Sequence, residues 1–345
     1  MRKLLIVKDY KNAFWQTFPP GHQHSRSLDV KFLKTFFTNA GYIVQVTSYP
    51  EFDFQENYKD CFVIYGSSED PIGGTKDYME DVLLWLQEQG AILLPAFKYF
   101  RAHHNKVFME MLRYNFSNEK LKNIRSKTFR SPDDIQDLSF NYPVVIKSAS
   151  GAGSSGVFLA KNKMELFTYA KHVSKIPSLH AHMIWFLRRV KRIIDKREPP
   201  PSRFNVKFII QDFIPNLPGD YKVLVFGDHY FVLHRLHKKH DFRASGAGIF
   251  APPNENELNA VLDYAKFCVQ EIMAPCISLD IAISENECFL FEFQCVSFGF
   301  KTMSWAKDFY EYNNETQSWH KKSFQQTPEE EFCYAVNKFI QENYK

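Results

Sequence analysis

The sequence lacks any apolar run long enough to cross a membrane. Such a span needs about 18 consecutive apolar residues, and no stretch approaches that length. The apolar run that follows Arg2 and Lys3 is too short for a signal peptide and has no cleavage pattern after it, so we interpret it as a buried strand. We therefore expect a cytoplasmic protein.

Cysteine pairs at metal-binding or redox spacing are also missing. The six cysteines include no CxxC pair, so reduced thiols, several of them in buried strands, are the simplest interpretation. The Walker A pattern GxxxxGK[ST] does not occur, and no Ser-His-Asp or Cys-His arrangement is convincing. These absences argue against a P-loop site and against nucleophilic catalysis by the protein.

The composition is that of a globular protein with several cores. The 345 residues are 45% hydrophobic and 24% charged, and this length predicts two or three packed subdomains. The 34 Phe predict aromatic-rich cores. A net charge of +4 is too small to indicate a nucleic-acid partner, and we expect none.

Residues 1–100 are predicted to form an N-terminal α/β domain, because apolar strand-like runs alternate with helical patterns. The predicted strands are 3–8, 42–47, 61–65 and 91–95. The predicted helices are 28–40 and 76–89. Strands separated by helices and short turns predict a parallel sheet.

The rest of the chain is predicted to divide into two subdomains at about residue 210. Residues 101–210 include a helix at 105–114, strands near 128–129, 144–147 and 156–161, and a basic insertion at about 171–205. Residues 211–345 combine an extended β-rich stretch, which already begins at 206, with helices at 255–273 and 328–343 and strands at 276–283 and 287–295. The fold class is therefore α/β, with α+β character in the C-terminal part.

A glycine-rich loop follows a predicted strand that ends at Lys147. The loop contains five small residues that let backbone N–H groups approach a polyphosphate, whose charge the lysine would offset. They are Gly151, Gly153, Ser154, Ser155 and Gly156. The spacing also fits GxGxxG, but a dinucleotide-binding loop opens a helix, and here a strand is predicted to follow. A plain surface hairpin is the alternative.

Two acids and an amide lie on neighbouring predicted strands near the C-terminus. Alternation places Glu292 and Gln294 on one face, and an antiparallel neighbour would bring Asp280 beside them. These oxygen ligands suit Mg²⁺ bound together with phosphates. The alternative is a pair of exposed acids on an edge strand, which the strongly apolar neighbours disfavour.

Three cations emerge from predicted β-structure near glycine-rich turns: Lys222, Arg235 and Arg243. Positioned cations stabilise the charge that develops on a transferring phosphoryl group. A solvated basic face is the alternative interpretation.

These segments, in this order and at this spacing, resemble the ATP-grasp superfamily. Within it the chain is similar to the carboxylate–amine ligase branch, which includes ribosomal-protein S6 glutamate ligase and D-alanine–D-alanine ligase. The resemblance covers roughly residues 100–300 and more loosely the N-terminal part. It implies a pre-ATP-grasp domain, a small lid subdomain and a β-rich C-terminal subdomain.

The resemblance also implies site residues. Lys106 and Lys147 would contact phosphates under the lid loop, and Arg235 and Arg243 would hold phosphate and the acyl-phosphate intermediate. The adenine hinge corresponds to Gln211, Asp212, Phe213 and Ile214. The magnesium ligands correspond to Asp280, Glu292 and Gln294. The chain departs from the family pattern at Asp212, which is usually Glu, at Gln294, which is usually Asn, and in residues 297–300, where a Pro-Gly turn is common.

The activity implied is an ATP- and Mg²⁺-dependent, ADP-forming ligation of a small-molecule carboxylate to an amine, with an amino acid or a sugar acid as candidate substrates. An ATP-grasp kinase that phosphorylates a hydroxyl is one alternative. A non-catalytic ATP-binding regulatory protein is another.

The basic insertion carries an amphipathic pattern at residues 184–197. Its apolar residues fall roughly on one stripe opposite a basic face. This pattern is compatible with docking on a membrane surface or an acidic polymer. We favour packing on its own domain with the charged side in solvent.

Overall fold

The computed structural model describes residues 2–15, 27–67, 74–151, 156–175, 179–194, 204–237, 243 and 249–344. Within 179–194 the side chains of 182–191 are described. The chain divides into two compact units. Residues 1–103 and 217–345 form the first, and residues 104–216 form the second.

The N-terminal part of the first unit has the predicted parallel sheet. Its elements are β1 (Lys3–Lys8), α1 (Val30–Asn39), β2 (Ile43–Ser48), β3 (Phe62–Tyr65), α2 (Gly74–Glu88), β4 (Ile92–Leu94) and α3 (Phe97–Ala102). The strand order is β2-β1-β3-β4, with all neighbours parallel. Asp29 caps α1, because its side chain accepts hydrogen bonds from the backbone N–H groups of Lys31 and Phe32.

The second unit is built on an antiparallel sheet. Its elements are α4 (Lys106–Tyr114), β5 (Ser126–Phe129), β6 (Val144–Ser148), β7 (Val157–Ala160), α5 (Lys163–Val173), α6 (Leu179–Ile194) and β8 (Phe208–Asp212). The strand order is β5-β8-β6-β7. Leu166 and Ala170 of α5 pack into the same core as Ile146 and Ile210 of the sheet.

The C-terminal part of the first unit contains a larger antiparallel sheet. Its elements are β9 (Gly219–Phe226), β10 (His229–Leu236), β11 (Ile249–Ala251), α7 (Glu255–Ile272), β12 (Cys276–Ser284), β13 (Glu287–Gln294), α8 (Lys301–Ala306), β14 (Asp308–Asn313), β15 (Ser318–Ser323) and α9 (Pro328–Asn343). The strand order is β13-β12-β9-β10-β14-β15, and β11 pairs with β10. Short 3₁₀ turns occur at Tyr49–Glu51, Glu119–Lys122 and Pro132–Ile135.

One aromatic core joins the two sequence-distant parts of the first unit. Trp15 packs edge-on against Phe332 with 4.7 Å between ring centroids and against Phe298 with 5.3 Å. Leu4 of the parallel sheet belongs to the same buried cluster. Residues before 103 and after 217 therefore fold around shared side chains, which makes them one compact unit.

The cysteines are buried free thiols, as the sequence predicts. Burial raises the pKa of the Cys61 thiol to about 11, so it is protonated at neutral pH. No helix within the described part of the chain is long and apolar enough to cross a bilayer. The predicted fold class, α/β with α+β character, is confirmed.

Candidate active site

The predicted strand–loop–strand hairpin lies in the second unit. Strands β6 and β7 pair antiparallel, with Lys147 opposite Val157, and the backbone N–H of Ser148 donates to the carbonyl of Gly156 at 2.9 Å. A strand follows the glycine loop, so the loop does not open a helix as a dinucleotide-binding turn does.

Two glycines of the loop have structural reasons to be glycine. Gly151 has φ of +113°, a backbone conformation that other residues avoid. A Cβ added to Gly156 would lie 2.0 Å from Oγ of Ser148, so only glycine allows this close approach. The predicted loop residues Gly153, Ser154 and Ser155 lie outside the described residues.

Lys106 lies beside this loop. It is the first residue of α4, which Asn105 caps by accepting from the N–H of Phe108. Its backbone N–H donates to the carbonyl of Ala149 at 2.8 Å, and its ammonium donates to the carbonyl of Gly151 at 3.1 Å. The helix start and the loop are thus fixed to each other.

The ammonium of Lys147 is held by a neutral amide. Its Nζ donates to Oε1 of Gln211 at 2.7 Å, and Gln211 is 2% exposed on the neighbouring strand β8. Nε2 of Gln211 lies 3.5 Å from Oε1 of Glu110. The side chain of Gln211, for which the sequence predicted only a place in the adenine hinge, therefore positions Lys147.

Glu110 is fully buried and its charge is matched. Arg113, one turn later on α4 and 2% exposed, donates to Oε2 of Glu110 through Nε at 3.0 Å and also through Nη2. The hydroxyl of Ser126 donates to the same oxygen, and Arg113 Nη2 reaches the carbonyl of Ile124 at 2.8 Å. The sequence alone does not indicate these residues, because an acid and an arginine three apart on a helix resemble a surface pair.

Of the remaining hinge residues, Asp212 is ion-paired, and Phe213 and Ile214 are half-buried apolar residues. Nε of Arg125 donates to Oδ2 of Asp212 at 2.9 Å, and the N–H of Asp212 donates to the carbonyl of Arg125 at 2.9 Å. Phe213 and Ile214 follow β8 directly and are half-buried. Their contact with adenine stays a prediction.

The predicted metal ligands lie in the first unit, on the larger sheet. Asp280 of β12 is paired in register with Glu292 of β13 on one side and with Lys222 of β9 on the other. Directly paired residues of antiparallel strands point to the same face, and Gln294 shares the face of Glu292 by alternation. The sheet thus places these four side chains on one face.

Asp280 is held by two cations on that face. Lys222 Nζ donates to Oδ1 at 2.8 Å, and Nη2 of Arg235 lies 2.8 Å from Oδ2. Arg235 also donates to both carboxylate oxygens of Asp220, at 2.6 Å through Nε and 2.7 Å through Nη2. Asp220 was not among the predicted site residues, although it stands two residues before Lys222 in the motif.

The ionisation of this cluster follows from burial and charge. Burial would raise the pKa of Asp280, but Arg235 and Lys222 outweigh it and hold that pKa below the usual range. Burial raises the pKa of Asp220, only partly offset by Arg235, and the nearby charge of Asp280 raises it further. Burial disfavours the charged form of Arg235, yet the two aspartates raise its pKa overall. The ionised form of Asp280 is therefore strongly favoured.

The opposite face of the sheet is packed against a helix. Tyr221 lies between Asp220 and Lys222 in the strand and points away from both. Its hydroxyl donates to Glu257 of α7, and its ring stacks on His234 with 4.4 Å between centroids. The polar face is therefore the side that does not carry α7.

The donor set on this face fits a hard divalent cation. Asp280 and Glu292 supply carboxylates and Gln294 an amide oxygen, and Nε2 of Gln294 already donates to Oε1 of Glu292 at 3.1 Å. Each carboxylate oxygen of Asp280 keeps a further lone pair beyond its contact with Lys222 or Arg235. No group of three His, Cys, Asp or Glu side chains forms a metal site in the described ranges, so a site here depends on the amide.

Arg243, the third predicted cation, is half-buried, and the residues next to it in the chain lie outside the described ranges. Lys222 and Arg235 are brought together with the predicted metal ligands, whereas the place of Arg243 relative to them stays a prediction.

Comparison with known proteins identifies the fold. No protein-family model and no curated protein matches the sequence. Among solved structures, D-cycloserine synthetase DcsG has 13% identity and a TM-score of 0.50, and the match covers 97% of this chain and 98% of that one. A RimK domain ATP-grasp protein from Sphaerobacter thermophilus has 9% identity, covers 98% and 99%, and has a TM-score of 0.47. D-alanine–D-alanine ligase from Bacillus anthracis has 13% identity, covers 87% and 89%, and has a TM-score of 0.46.

The solved structures that the fold of this chain resembles include an ATP-grasp protein, which is the fold that the sequence resemblance predicts. The likeness to D-cycloserine synthetase extends over nearly the whole of both chains. At 13% identity this likeness establishes the fold only, and the activity has to be inferred from the residues of this chain.

Proposed function

We propose that the protein is an ATP- and Mg²⁺-dependent, ADP-forming ligase that joins a small-molecule carboxylate to an amine. The observation that supports this most is the polar sheet face on which Asp280, Glu292 and Gln294 lie beside Lys222 and Arg235. It combines oxygen donors for a metal with cations for phosphate, in a chain with the ATP-grasp fold.

We infer that Lys106 and Lys147 bind the phosphates of ATP. Both side chains are fixed by oxygen atoms of uncharged groups, the carbonyl of Gly151 and the amide of Gln211. Each contact orients an ammonium, which has three N–H donors and can donate a further charge-assisted hydrogen bond to a phosphate oxygen. In this proposal residues 101–210 act as the lid subdomain, with the loop at 151–156 over the phosphates.

Asp280, Glu292 and Gln294 would hold magnesium, which supplies charge that offsets the phosphate oxygens when it is bound. Arg235 and Lys222 keep Asp280 ionised and oriented. In the hinge, the backbone of residues 211–214 would hydrogen-bond adenine. Arg243 is assigned to the transferring phosphate in this proposal.

The proposed reaction has two steps. A carboxylate oxygen of the first substrate attacks the γ-phosphorus of ATP, so that the bond to the β–γ bridging oxygen breaks and ADP leaves. The amine nitrogen then attacks the acyl carbon, the C–O bond to phosphate breaks, and the amine loses a proton to give an amide. The protein contributes positioning and fixed positive charge, which is consistent with the absence of a convincing Ser-His-Asp or Cys-His arrangement in the sequence.

Product analysis tests the ligase assignment. The purified chain is incubated with Mg²⁺·ATP and a matrix of acids and amines that includes amino acids and sugar acids. ADP should be released only when a carboxylate is present, and hydroxylamine should convert the acyl phosphate to a hydroxamate. Lys147→Ala and Glu292→Ala should lower the rate of ADP release by at least about a hundredfold each, the usual size of a lost charge contact to a reacting phosphate.

The same experiment identifies the alternatives. ADP release that yields a phosphorylated alcohol and no hydroxamate would contradict the ligase proposal and support a kinase. Tight ATP binding without turnover for any pair in the matrix would support a regulatory ATP-binding protein.

A further inference from the structure

Helix α6 carries an apolar stripe that the protein leaves in solvent. Met183, Phe186, Leu187 and Val190 recur at the helical spacing i, i+3, i+4, i+7, which puts them on one face. Their exposed fractions are 55%, 59%, 58% and 42%. A helix that packs on its own domain buries such a face, so this one differs from the packing favoured from the sequence.

The two other apolar side chains described in this part of the helix lie off the stripe. Ile184 and Trp185 are half-buried, and the guanidinium of Arg189 lies over the Trp185 ring, 5.2 Å from its centroid. Removing the stripe would therefore alter an exposed face rather than a packed core. A contiguous exposed apolar patch marks a surface that contacts something else.

The flanks of the stripe identify the chemistry of that contact. Arg188, Arg189 and Lys191 are exposed, and the sequence of α6 contains no Asp or Glu. An apolar stripe flanked by arginine and lysine, in a helix whose sequence has no acidic residue, is complementary to a surface with an apolar interior and a negatively charged rim. The interface of an anionic lipid bilayer has this arrangement.

We propose that α6 docks the protein on an anionic membrane surface, lying in the plane of the interface. The stripe would enter the boundary between headgroups and acyl chains, while Arg188, Arg189 and Lys191 contact lipid phosphates. A helix of 16 residues is about 24 Å long at 1.5 Å per residue, and its charged residues exclude a spanning orientation. This proposal is independent of the proposed ligase activity.

Vesicle flotation of the full chain tests the docking. The protein should float with vesicles of phosphatidylcholine and phosphatidylserine, and not with phosphatidylcholine alone. The combined change Arg188→Glu, Arg189→Glu and Lys191→Glu should lower the partition coefficient by at least about a hundredfold, since each basic residue contributes about fivefold near such a surface. Added salt should weaken binding of the unchanged protein.

The apolar arm of the test uses Phe186→Ser, Leu187→Ser and Val190→Ser. These changes keep every charge, and partitioning should still fall by at least about tenfold because apolar burial is lost. Circular dichroism and thermal unfolding should match the unchanged protein, since the replaced side chains are exposed.

Matched controls lie in the same unit. Lys161→Glu, Lys171→Glu and Lys175→Glu make the same charge change at exposed positions outside α6, and Met164→Ser removes an apolar side chain that is 77% exposed on α5. Both controls should leave most of the flotation intact, apart from the small general effect of net charge.

Three results would overturn the proposal. One is the absence of flotation with phosphatidylserine vesicles. Another is flotation that both α6 variants leave unchanged. The third is self-association of the chain that the serine variant abolishes while no vesicle binding occurs, which would assign the stripe to a second copy.

Discussion

The two units hold their candidate phosphate-site cations in opposite ways. In the second unit, Lys147 is bound by the neutral amide of Gln211, and the acid behind it, Glu110, is already matched by Arg113. In the first unit, Lys222 contacts a carboxylate directly, that of Asp280. The contact of Lys147 is therefore with an uncharged group, whereas the contact of Lys222 is with a charged one.

The two kinds of contact predict different effects when the cation is replaced. We expect Lys147 to contact an anionic ligand directly, so its loss should lower ATP affinity as well as the rate of ADP release. The cluster contains two positive side chains, Lys222 and Arg235, and two negative ones, Asp220 and Asp280. The ion pairs between them balance these charges and fix the four side chains on the sheet face. Its disruption should therefore lower the stability of the fold in addition to the proposed binding of metal and phosphate.

The largest effect is expected from Arg235→Met. This change leaves Asp220 and Asp280 buried together without the guanidinium that contacts both, and breaking such a pair costs about 3–5 kcal/mol. Urea unfolding followed by circular dichroism measures the loss. Arg125→Met is the matched control, because Arg125 is exposed and its change should cost at most about 1 kcal/mol. If the two variants lost equal free energies of unfolding, the buried ion pairs of the first unit would contribute no more to stability than the exposed pair of the second.

Part of this cluster is predictable from sequence and part is not. Alternation within residues 287–294 and a hairpin with residues 276–284 suffice to bring Asp280 beside Glu292 and Gln294. The contacts with Lys222 and Arg235 depend on β9 pairing with β12, more than 50 residues away in the chain, and local periodicity does not encode that choice. The resemblance to ATP-grasp proteins supplied those residues, but not their ion pairs.

A second test lowers the pH. Asp280, with a lowered pKa, stabilises the fold above the usual aspartate pKa of 3.8, and this contribution is lost as the pH falls below it. Asp220, with a raised pKa, acts in the opposite sense, because the folded state takes up its proton first and gains stability as the pH falls toward 3.8. The two effects partly cancel, so the net change should be smaller than that of Arg235→Met.

Single replacements separate these two contributions. The free energy of unfolding is measured from about pH 7 to pH 3 for each variant. Asp280→Asn should flatten the acid loss of stability, and Asp220→Asn should steepen it. The reverse order of slopes would contradict the assigned pKa directions.

A third substitution gives Lys147 a carboxylate partner, like the one that Lys222 has in the first unit. Gln211→Glu would place a carboxylate against the Lys147 ammonium and cancel its charge. Affinity for Mg²⁺·ATP should fall by about tenfold or more, the scale of one lost charge interaction, and Lys147→Met should have a similar effect. Isothermal titration calorimetry measures both. Gln211→Met, which removes the hydrogen bond but adds no charge, should lower the affinity less, and an equal fall would mean that orientation rather than charge is decisive.

The buried network behind Lys147 shows where sequence patterns stop being informative. Glu110 and Arg113 are three residues apart on a predicted helix, a spacing that surface ion pairs share. Only the packing of α4 against β5 and β8 buries them. The hairpin of β14 and β15, at residues 308–323, was missed for a related reason, since its strands are mostly polar and half-exposed and lack the apolar run that marked the others.

The smallest effect is expected at the pair of Arg125 and Asp212. Both side chains are substantially exposed, at 76% and 36%, so Asp212→Asn should change the free energy of unfolding by less than about 1 kcal/mol. If the hinge recognises adenine through backbone groups, the same change should leave ATP affinity within about twofold, because it does not remove a backbone donor or acceptor. Differential scanning fluorimetry and calorimetry check both values, with exposed Asp263→Asn as a control for the loss of one charge. A large loss of ATP affinity in Asp212→Asn but not in Asp263→Asn would mean that the Asp212 carboxylate itself contacts the nucleotide.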